Sequence, residues 1–164
     1  TARYLLVSVA PLLIFAGVFL FPAFPYALNL PSVTGYLNDV AGILSKEDFN
    51  EIDYLLRDFE STSGNELVVA IVPDLQGTTV EDYAIKLFDA WRPGKEELDN
   101  GILFLIAVED RKMRIEVGYG LEGALTDGTT GAILDREVLP AFRTGDYATG
   151  VRQGVLAIMD ATRG

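Results

Sequence analysis

The sequence contains no cysteine and no histidine among its 164 residues. The absence of cysteine excludes disulfides, thiolate catalysis and cysteine-bound metals, and is neutral about the compartment. The absence of histidine excludes a Ser-His-Asp triad, a histidine phosphatase and any histidine-bound metal. A metal site in this chain would therefore use oxygen ligands only, which select hard ions such as Ca²⁺ or Mg²⁺ over zinc or copper.

Charged residues are also absent between Tyr4 and Asn38, and residues 4–21 are almost entirely apolar. As a helix this stretch would rise about 27 Å, close to the hydrocarbon thickness of a bilayer. We therefore predict one N-terminal transmembrane helix, with an anchor and interface segment over residues 1–30, whereas a cleaved signal peptide is the alternative. Because Arg3 is the only charge before the span, we expect the rest of the chain on the periplasmic or lumenal side.

The remainder of the chain is strongly acidic. All but one of the 13 basic residues and all 24 acidic residues follow the predicted anchor, so this part carries a net charge of −12. Such a surface repels nucleic acid and anionic lipid headgroups, and it favours cations or basic protein partners. We expect no nucleic-acid partner.

Three strands are predicted from apolar runs and alternation. Residues 66–72 and 101–108 are near-continuous apolar runs, typical of strands covered on both faces, and residues 112–117 follow a short polar turn as the return arm of a hairpin. Since a helix connects the first two strands, we expect them to be parallel, with the third antiparallel to the second.

Four helices are predicted around these strands. The first begins at a capping-box-like Ser45 and the second at Thr79; the third runs roughly over residues 128–139 and stops at Pro140; the fourth follows Gly145. The alternation predicts an α/β fold, an α/β/α sandwich in which a mixed sheet is covered by helices on both faces.

We assign this domain to residues 45–164. Residues 31–44 are expected to form an extended linker that leads into it.

The glycine-rich segment 118–127 carries the densest potential chemistry. The predicted hairpin places the start of this segment beside the beginning of the second strand. Four side chains are thereby gathered at one edge of the sheet: Asp99, Asn100, Glu122 and Asp127. Clustered carboxylates need a cation, a proton or backbone amides, so we predict a metal site there, with Asp39 as a further candidate that could serve either edge. The predicted metal residues are Asp99, Asn100, Glu122, Asp127 and Asp39.

Structural alternatives exist for several of these residues. Asp127 precedes a helix and could be its N-cap, and residues 99–101 could form only a turn before a strand. Glu122 has no obvious packing task. At the opposite edge we expect Asp74 and Asp110, where Arg111 could pair with one of them.

Residues 118–123 also satisfy the pattern G-x-G-x-x-G of dinucleotide sites. The preceding strand is the return arm of a hairpin, no strand completes a βαβ unit, and Glu122 would repel a pyrophosphate. We therefore expect no nucleotide.

Five segments occur in order along the domain, at residues 37–45, 64–69, 99–103, 114–123 with 125–127, and 142–147. Taken together they resemble the TPM domain, over about residues 36–163. The family includes thylakoid-lumen proteins of photosystem II repair and many bacterial membrane-anchored proteins.

This resemblance implies an α/β/α sandwich outside the cytoplasm and a groove that binds Ca²⁺ or Mg²⁺ in several members. We expect a membrane-anchored accessory or assembly subunit whose acidic domain docks on a membrane protein complex, photosynthetic or respiratory. The alternative is a metal-dependent, acid-phosphatase-like hydrolase, because phosphatase activity is attributed to plant relatives, with Glu122, Asp127 and Asp99 holding the ion.

Overall fold

A four-stranded mixed sheet of order β1-β2-β3-β4 lies at the centre of residues 27–163, the part of the chain that the computed structural model describes. The first three strands are parallel, and the fourth is antiparallel to the third. The predicted α/β class with a mixed sheet is confirmed. The strands are β1 (Leu37–Asp39), β2 (Glu66–Val72), β3 (Gly101–Ala107) and β4 (Lys112–Val117).

Five α-helices accompany the sheet. A short 3-10 helix, Tyr119–Leu121, follows β4, and a π-helical turn, Leu134–Val138, joins the third and fourth α-helices. The α-helices are α1 (Lys46–Ser63), α2 (Val80–Trp91), α3 (Asp127–Ile133), α4 (Leu139–Arg143) and α5 (Tyr147–Arg163).

Side-chain caps fix the starts of the first two helices where the sequence predicts them. The Ser45 hydroxyl accepts from the backbone N–H of Asp48, and the Thr79 hydroxyl accepts from that of Asp82, each at 3.1 Å. Such bonds satisfy amides that have no acceptor inside the helix.

Both faces of the sheet pack against helices. Along β2, Leu67 and Val69 belong to a core formed with α1, α3 and α5, whereas Ala70 and Val72 belong to a second core formed with α2. Successive side chains of a strand point to opposite faces, so a run of seven residues serves two cores only if nearly all are apolar.

The third predicted helix continues further than expected. The prediction that it stops at Pro140 is wrong, because the chain stays helical to Arg143. In the π-helical turn the N–H of Leu139 donates to the carbonyl of Leu134, five residues earlier. Pro140 then lies in the first turn of α4, where a missing N–H costs no intrahelical bond.

The chain before β1 lies along the α2 face of the domain, which the sequence did not indicate. Leu28 and Leu30 pack against the second core. Between them, Asn29 exchanges two hydrogen bonds of 2.9 Å with the Gln76 side chain, and the Trp91 indole donates to the Pro31 carbonyl at 2.8 Å. We call residues 28–31 the N-terminal strap.

The strand β1 lies within the segment predicted as a linker. Its three residues include only one apolar side chain, Leu37, so no periodic pattern marks it. Asn38 and the parallel pairing with β2 hold it in the sheet.

Among the helices of residues 27–163, none combines the length and the hydropathy that a membrane crossing requires. The predicted transmembrane helix over residues 4–21 lies outside the described residues.

Candidate functional site

The β3–β4 hairpin brings three distant segments to one edge of the sheet, as the strand directions predict. The backbone N–H of Gly118 donates to the Gly101 carbonyl at 2.8 Å, and that of Gly120 donates to the Asp99 carbonyl at 3.0 Å. The N–H of Glu66 donates to the Asn100 carbonyl at 3.2 Å. The glycine-rich segment is therefore fixed against the turn that precedes β3.

Close backbone approach, rather than positive φ, explains two of the glycines. Gly118 has an extended φ of −66°. A Cβ at Gly118 would lie 2.2 Å from the Asp99 carbonyl oxygen, and one at Gly120 would lie 2.0 Å from that of Leu98. No real side chain tolerates these distances, so the G-x-G pair is required by the fold of this edge.

Glu122 and Asp127 line the same cleft, of about 280 Å³, between β4 and the start of α3. Glu116 also lines it, and its carboxylate pairs with the guanidinium of Arg114 at 2.8 Å. One of the three carboxylates is thus compensated inside the protein. Thr126 and Thr130 complete the polar lining.

The interpretation of Asp127 as an N-cap is wrong. The cap is Thr126, whose hydroxyl accepts from the N–H of Thr129 at 3.2 Å, and Asp127 is the first residue of α3. A carboxylate in the first turn is favoured by the helix dipole, and its side chain is exposed beside the cleft.

Asp99 lies in a neighbouring cleft, of about 670 Å³, together with Arg92 and Lys95. Its backbone is left-handed, with φ of 46°. The structure therefore places Asp99 beside basic side chains, whereas Glu122 and Asp127 share the other cleft.

Asn100 is buried and holds three segments together. Its side-chain oxygen accepts from the N–H of Lys95 at 2.8 Å, and its amide donates to the Gly64 carbonyl at 2.7 Å and to the Asn65 side chain at 3.3 Å. Burial of a polar side chain with these partners is a structural role, and any part in ion binding stays a prediction.

Asp39 lies at the opposite edge of the sheet. It ends β1 and pairs in register with Ile71, near the carboxyl end of β2. Its carboxylate accepts from the N–H groups of Gly42, Ile43 and Leu44 at 2.9 to 3.2 Å. These bonds fix the turn before α1, and Asp39 is not brought together with the other four residues.

Within residues 27–163, no three acidic side chains are grouped so that they could hold a metal ion. The carboxylates of Glu122 and Asp127 could supply two ligands, and water would have to supply the rest. The ion site therefore stays a prediction.

Two exposed apolar side chains at this edge are not suggested by any core pattern. Tyr119 is 79% exposed and Leu98 is 55% exposed. We call residues 96–100 and 118–127 together the acidic edge, because they contain five carboxylates. Three basic residues, Arg92, Lys95 and Arg114, line the adjoining clefts. The sequence analysis missed Tyr119 as a functional candidate. Its position between two glycines, where no core residue is expected, could have indicated an exposed aromatic side chain.

The model of the TPM domain family matches residues 37–161. The chain belongs to the TPM domain family. The search of the curated proteins found no match to this TPM domain.

Solved structures agree with this assignment. The solution NMR structure of the N-terminal domain of a protein from P. gingivalis is 36% identical, with a TM-score of 0.72 over 77% of this chain and 80% of that chain. BA42 from the psychrophilic bacterium Bizionia argentinensis is 24% identical, with a TM-score of 0.63 over 73% of this chain and 81% of that one. The N-terminal domain of cg2496 from Corynebacterium glutamicum is 17% identical, with a TM-score of 0.62 over 83% and 86%. The last two show the fold alone.

Proposed function

We propose that this TPM domain is the docking module of a membrane-anchored accessory or assembly subunit. Its acidic edge would bind a basic surface on a photosynthetic or respiratory membrane protein complex. The observation that carries the proposal is the exposure of Tyr119 beside Leu98 at an edge that is rich in carboxylates. The domain would act on the periplasmic or lumenal side.

The composition of the acidic edge suits a protein interface. Tyrosine is enriched among the residues that dominate binding energy, and surrounding charges select a partner of opposite sign and accelerate association. The hydrogen bonds of Gly118 and Gly120 hold the Tyr119 backbone against residues 99–101. Because the backbone is already ordered, binding would cost conformational entropy only in the tyrosine side chain, which has few rotatable bonds.

The N-terminal strap would orient this edge. Asn29 is bonded to Gln76, which follows the carboxyl end of β2, whereas the acidic edge lies at the amino ends of β2 and β3. An anchor in the preceding residues would thus join the domain at the edge opposite the acidic edge. The acidic edge would then point away from the membrane, toward the extramembrane part of a partner complex.

Co-purification from native membranes in mild detergent tests the docking proposal. Tyr119→Ala should weaken retention of the partner complex by about tenfold or more, as expected of a central aromatic contact. The matched control is Tyr54→Ala, which removes a tyrosine that is 68% exposed on α1 and should retain the partner. Equal retention by the two variants would contradict the proposal.

A second function at the same edge is divalent-cation binding, and the cleft shared by Glu122 and Asp127 supports it. Two carboxylates with water completing the shell suit Mg²⁺, which keeps several waters, and also Ca²⁺ at low affinity. Removing one of two protein ligands should weaken binding by at least about tenfold.

Titration of the full chain with each ion, followed by NMR, tests this second function. Glu122→Gln should raise the ion concentration that saturates the shifts of amides in residues 118–127 by at least about tenfold, whereas Glu97→Gln, which changes the same charge outside the cleft, should leave it unchanged. Unshifted amides in the unsubstituted protein would end the idea. Phosphomonoester hydrolysis that needs the ion and disappears in Glu122→Gln would instead favour the hydrolase alternative.

A further inference from the structure

A second cavity, of about 510 Å³, lies at the other edge of the sheet, between the β3–β4 hairpin and the α4–α5 connection. Its lining includes three basic residues and no acidic one, in a chain with a net charge of −11. The basic residues are Arg111, Lys112 and Arg143. We call this cavity the basic pocket.

The three basic side chains of the pocket form no salt bridge within residues 27–163. The salt bridges there involve other arginines. The expected pairing of Arg111 with Asp74 or Asp110 is wrong. Asp110 accepts from the N–H of Leu75 at 2.7 Å, and Asp74 accepts from that of Gln76 at 2.6 Å. Both carboxylates therefore hold backbone amides.

The rest of the lining is apolar and aromatic. Ile106, Val108 and Met113 line the pocket from the hairpin, and Phe142 and Tyr147 line it from the helices. The two aromatic rings meet edge to face, with centroids 5.1 Å apart.

A glycine makes room for this aromatic wall. A Cβ at Gly150 would lie 2.4 Å from the Phe142 ring, so the glycine lets the ring lie flush against α5.

The pocket lies at the same edge as the N-terminal strap. The strap residue Asn29 is hydrogen-bonded to Gln76. Leu75, which precedes Gln76, donates its backbone N–H to the carboxylate of Asp110, the residue directly before Arg111. The pocket and the start of the strap therefore lie at the same end of the sheet, the pocket on the α4–α5 side and the strap on the α2 side.

We propose that the basic pocket binds an amphipathic anion, that is, a phosphate or carboxylate group joined to an apolar body. Guanidinium groups recognise oxyanions through two parallel hydrogen bonds, and the apolar wall would cover the body of the ligand. The volume is within the range of about 300 to 1,000 Å³ that is typical of small-molecule sites. A lipid headgroup region and a free small molecule share this chemistry.

Phenyl phosphate is the probe, titrated into the ¹⁵N-labelled full chain in non-ionic detergent. It should shift the amides of Met113 and Gly145 saturably, whereas inorganic phosphate and benzyl alcohol should each bind at least about tenfold more weakly. Micelles doped with phosphatidylglycerol form the second arm. Shifts with the lipid alone assign the pocket to a headgroup, and shifts with phenyl phosphate assign it to a free ligand.

Three variants make the test specific. Arg111→Gly should weaken binding about tenfold without a folding cost, because Arg111 has a left-handed φ of 54° that glycine adopts freely. Arg143→Gln should act similarly. Arg163→Gln removes the same charge at the end of α5 and should leave binding unchanged. Absence of saturable shifts in both arms, or equal weakening by Arg163→Gln, would overturn the proposal.

Discussion

The backbone N–H of Gly120 donates to the carbonyl oxygen of Asp99 at 3.0 Å, and this bond ties the glycine-rich segment to the turn before β3. It fixes the short 3-10 helix that carries Tyr119. The exposed ring and the cleft of Glu122 are consequently presented by a backbone that has little freedom. The contact between Gly120 and the Asp99 carbonyl thus positions both the Tyr119 ring and the Glu122 cleft.

Gly118→Ala should destabilise the domain by at least about 2 kcal/mol, since the new methyl group would lie 2.2 Å from the Asp99 carbonyl oxygen and the backbone would have to move. Gly123→Ala is the control, because a Cβ there meets nothing within 4 Å. Urea denaturation of both variants measures the difference. A Gly118 variant as stable as the Gly123 variant would mean that the two segments do not pack as described.

Asp39→Ala should lower the free energy of unfolding by about 2 kcal/mol, because three backbone N–H groups lose their charged acceptor. Its affinity for Ca²⁺ or Mg²⁺ should be unchanged, since Asp39 lies at the sheet edge opposite Glu122. Denaturant unfolding and an ion titration on the same sample check both statements. A loss of ion affinity with full stability would make Asp39 a ligand after all.

The sheet could be predicted because its strands are long apolar runs separated by clear turn and cap signals. The direction of β4 followed from the short hairpin turn, and it correctly placed Gly118 beside Gly101. Local sequence fixes such features, since turn length and strand polarity constrain the path of the chain.

Features that depend on tertiary contacts could not be predicted. β1 contains only one apolar residue, the strap is held by the Gln76 and Trp91 side chains, and the π-helical turn lets the helix continue past Pro140. At the site, the sequence gathered Asp99 with Glu122, whereas the packing of the turn places them in different clefts. The basic pocket was missed because its cations are separated in sequence by the whole of α3.

Gln76→Gly should release the N-terminal strap while leaving the domain folded. The variant loses both bonds to Asn29, and glycine relieves the left-handed φ of 51° at this position. Trp91 is the sole tryptophan and donates to the strap, so its emission should shift to longer wavelength. Thr78→Ala, two residues further along the same turn, should leave the emission unchanged. An unaltered spectrum in Gln76→Gly would contradict this prediction and show that the Trp91 bond and the apolar contacts of Leu28 and Leu30 hold the strap without Gln76.

The domain should lose stability at alkaline pH partly through Tyr36. The hydrogen bond from its hydroxyl to the Glu60 carboxylate raises the pKa of Tyr36 above its ordinary value of 10.0, with burial and the negative charge of Glu60 acting in the same direction. The folded protein thus holds this proton more tightly than the unfolded one. The resulting stability is complete below pH 10 and is lost as the pH rises through the folded-state pKa.

Urea denaturation between about pH 9 and pH 11 measures this effect. Tyr36→Phe should show a shallower decline in the free energy of unfolding than the unsubstituted protein. Tyr54→Phe, at an exposed position on α1, should decline in parallel with the unsubstituted protein. Identical slopes for Tyr36→Phe and the unsubstituted protein would contradict the role given to the Glu60 bond.

Photo-crosslinking in native membranes tests the docking account most directly, with p-benzoylphenylalanine in place of Tyr119 or, in a matched variant, in place of Tyr54. Both positions are exposed, at 79% and 68%, so accessibility alone does not separate them. The account predicts one discrete adduct from position 119, lost when salt is raised because the edge is acidic, and no corresponding adduct from position 54. The same adducts from both positions, or none from position 119, would contradict it.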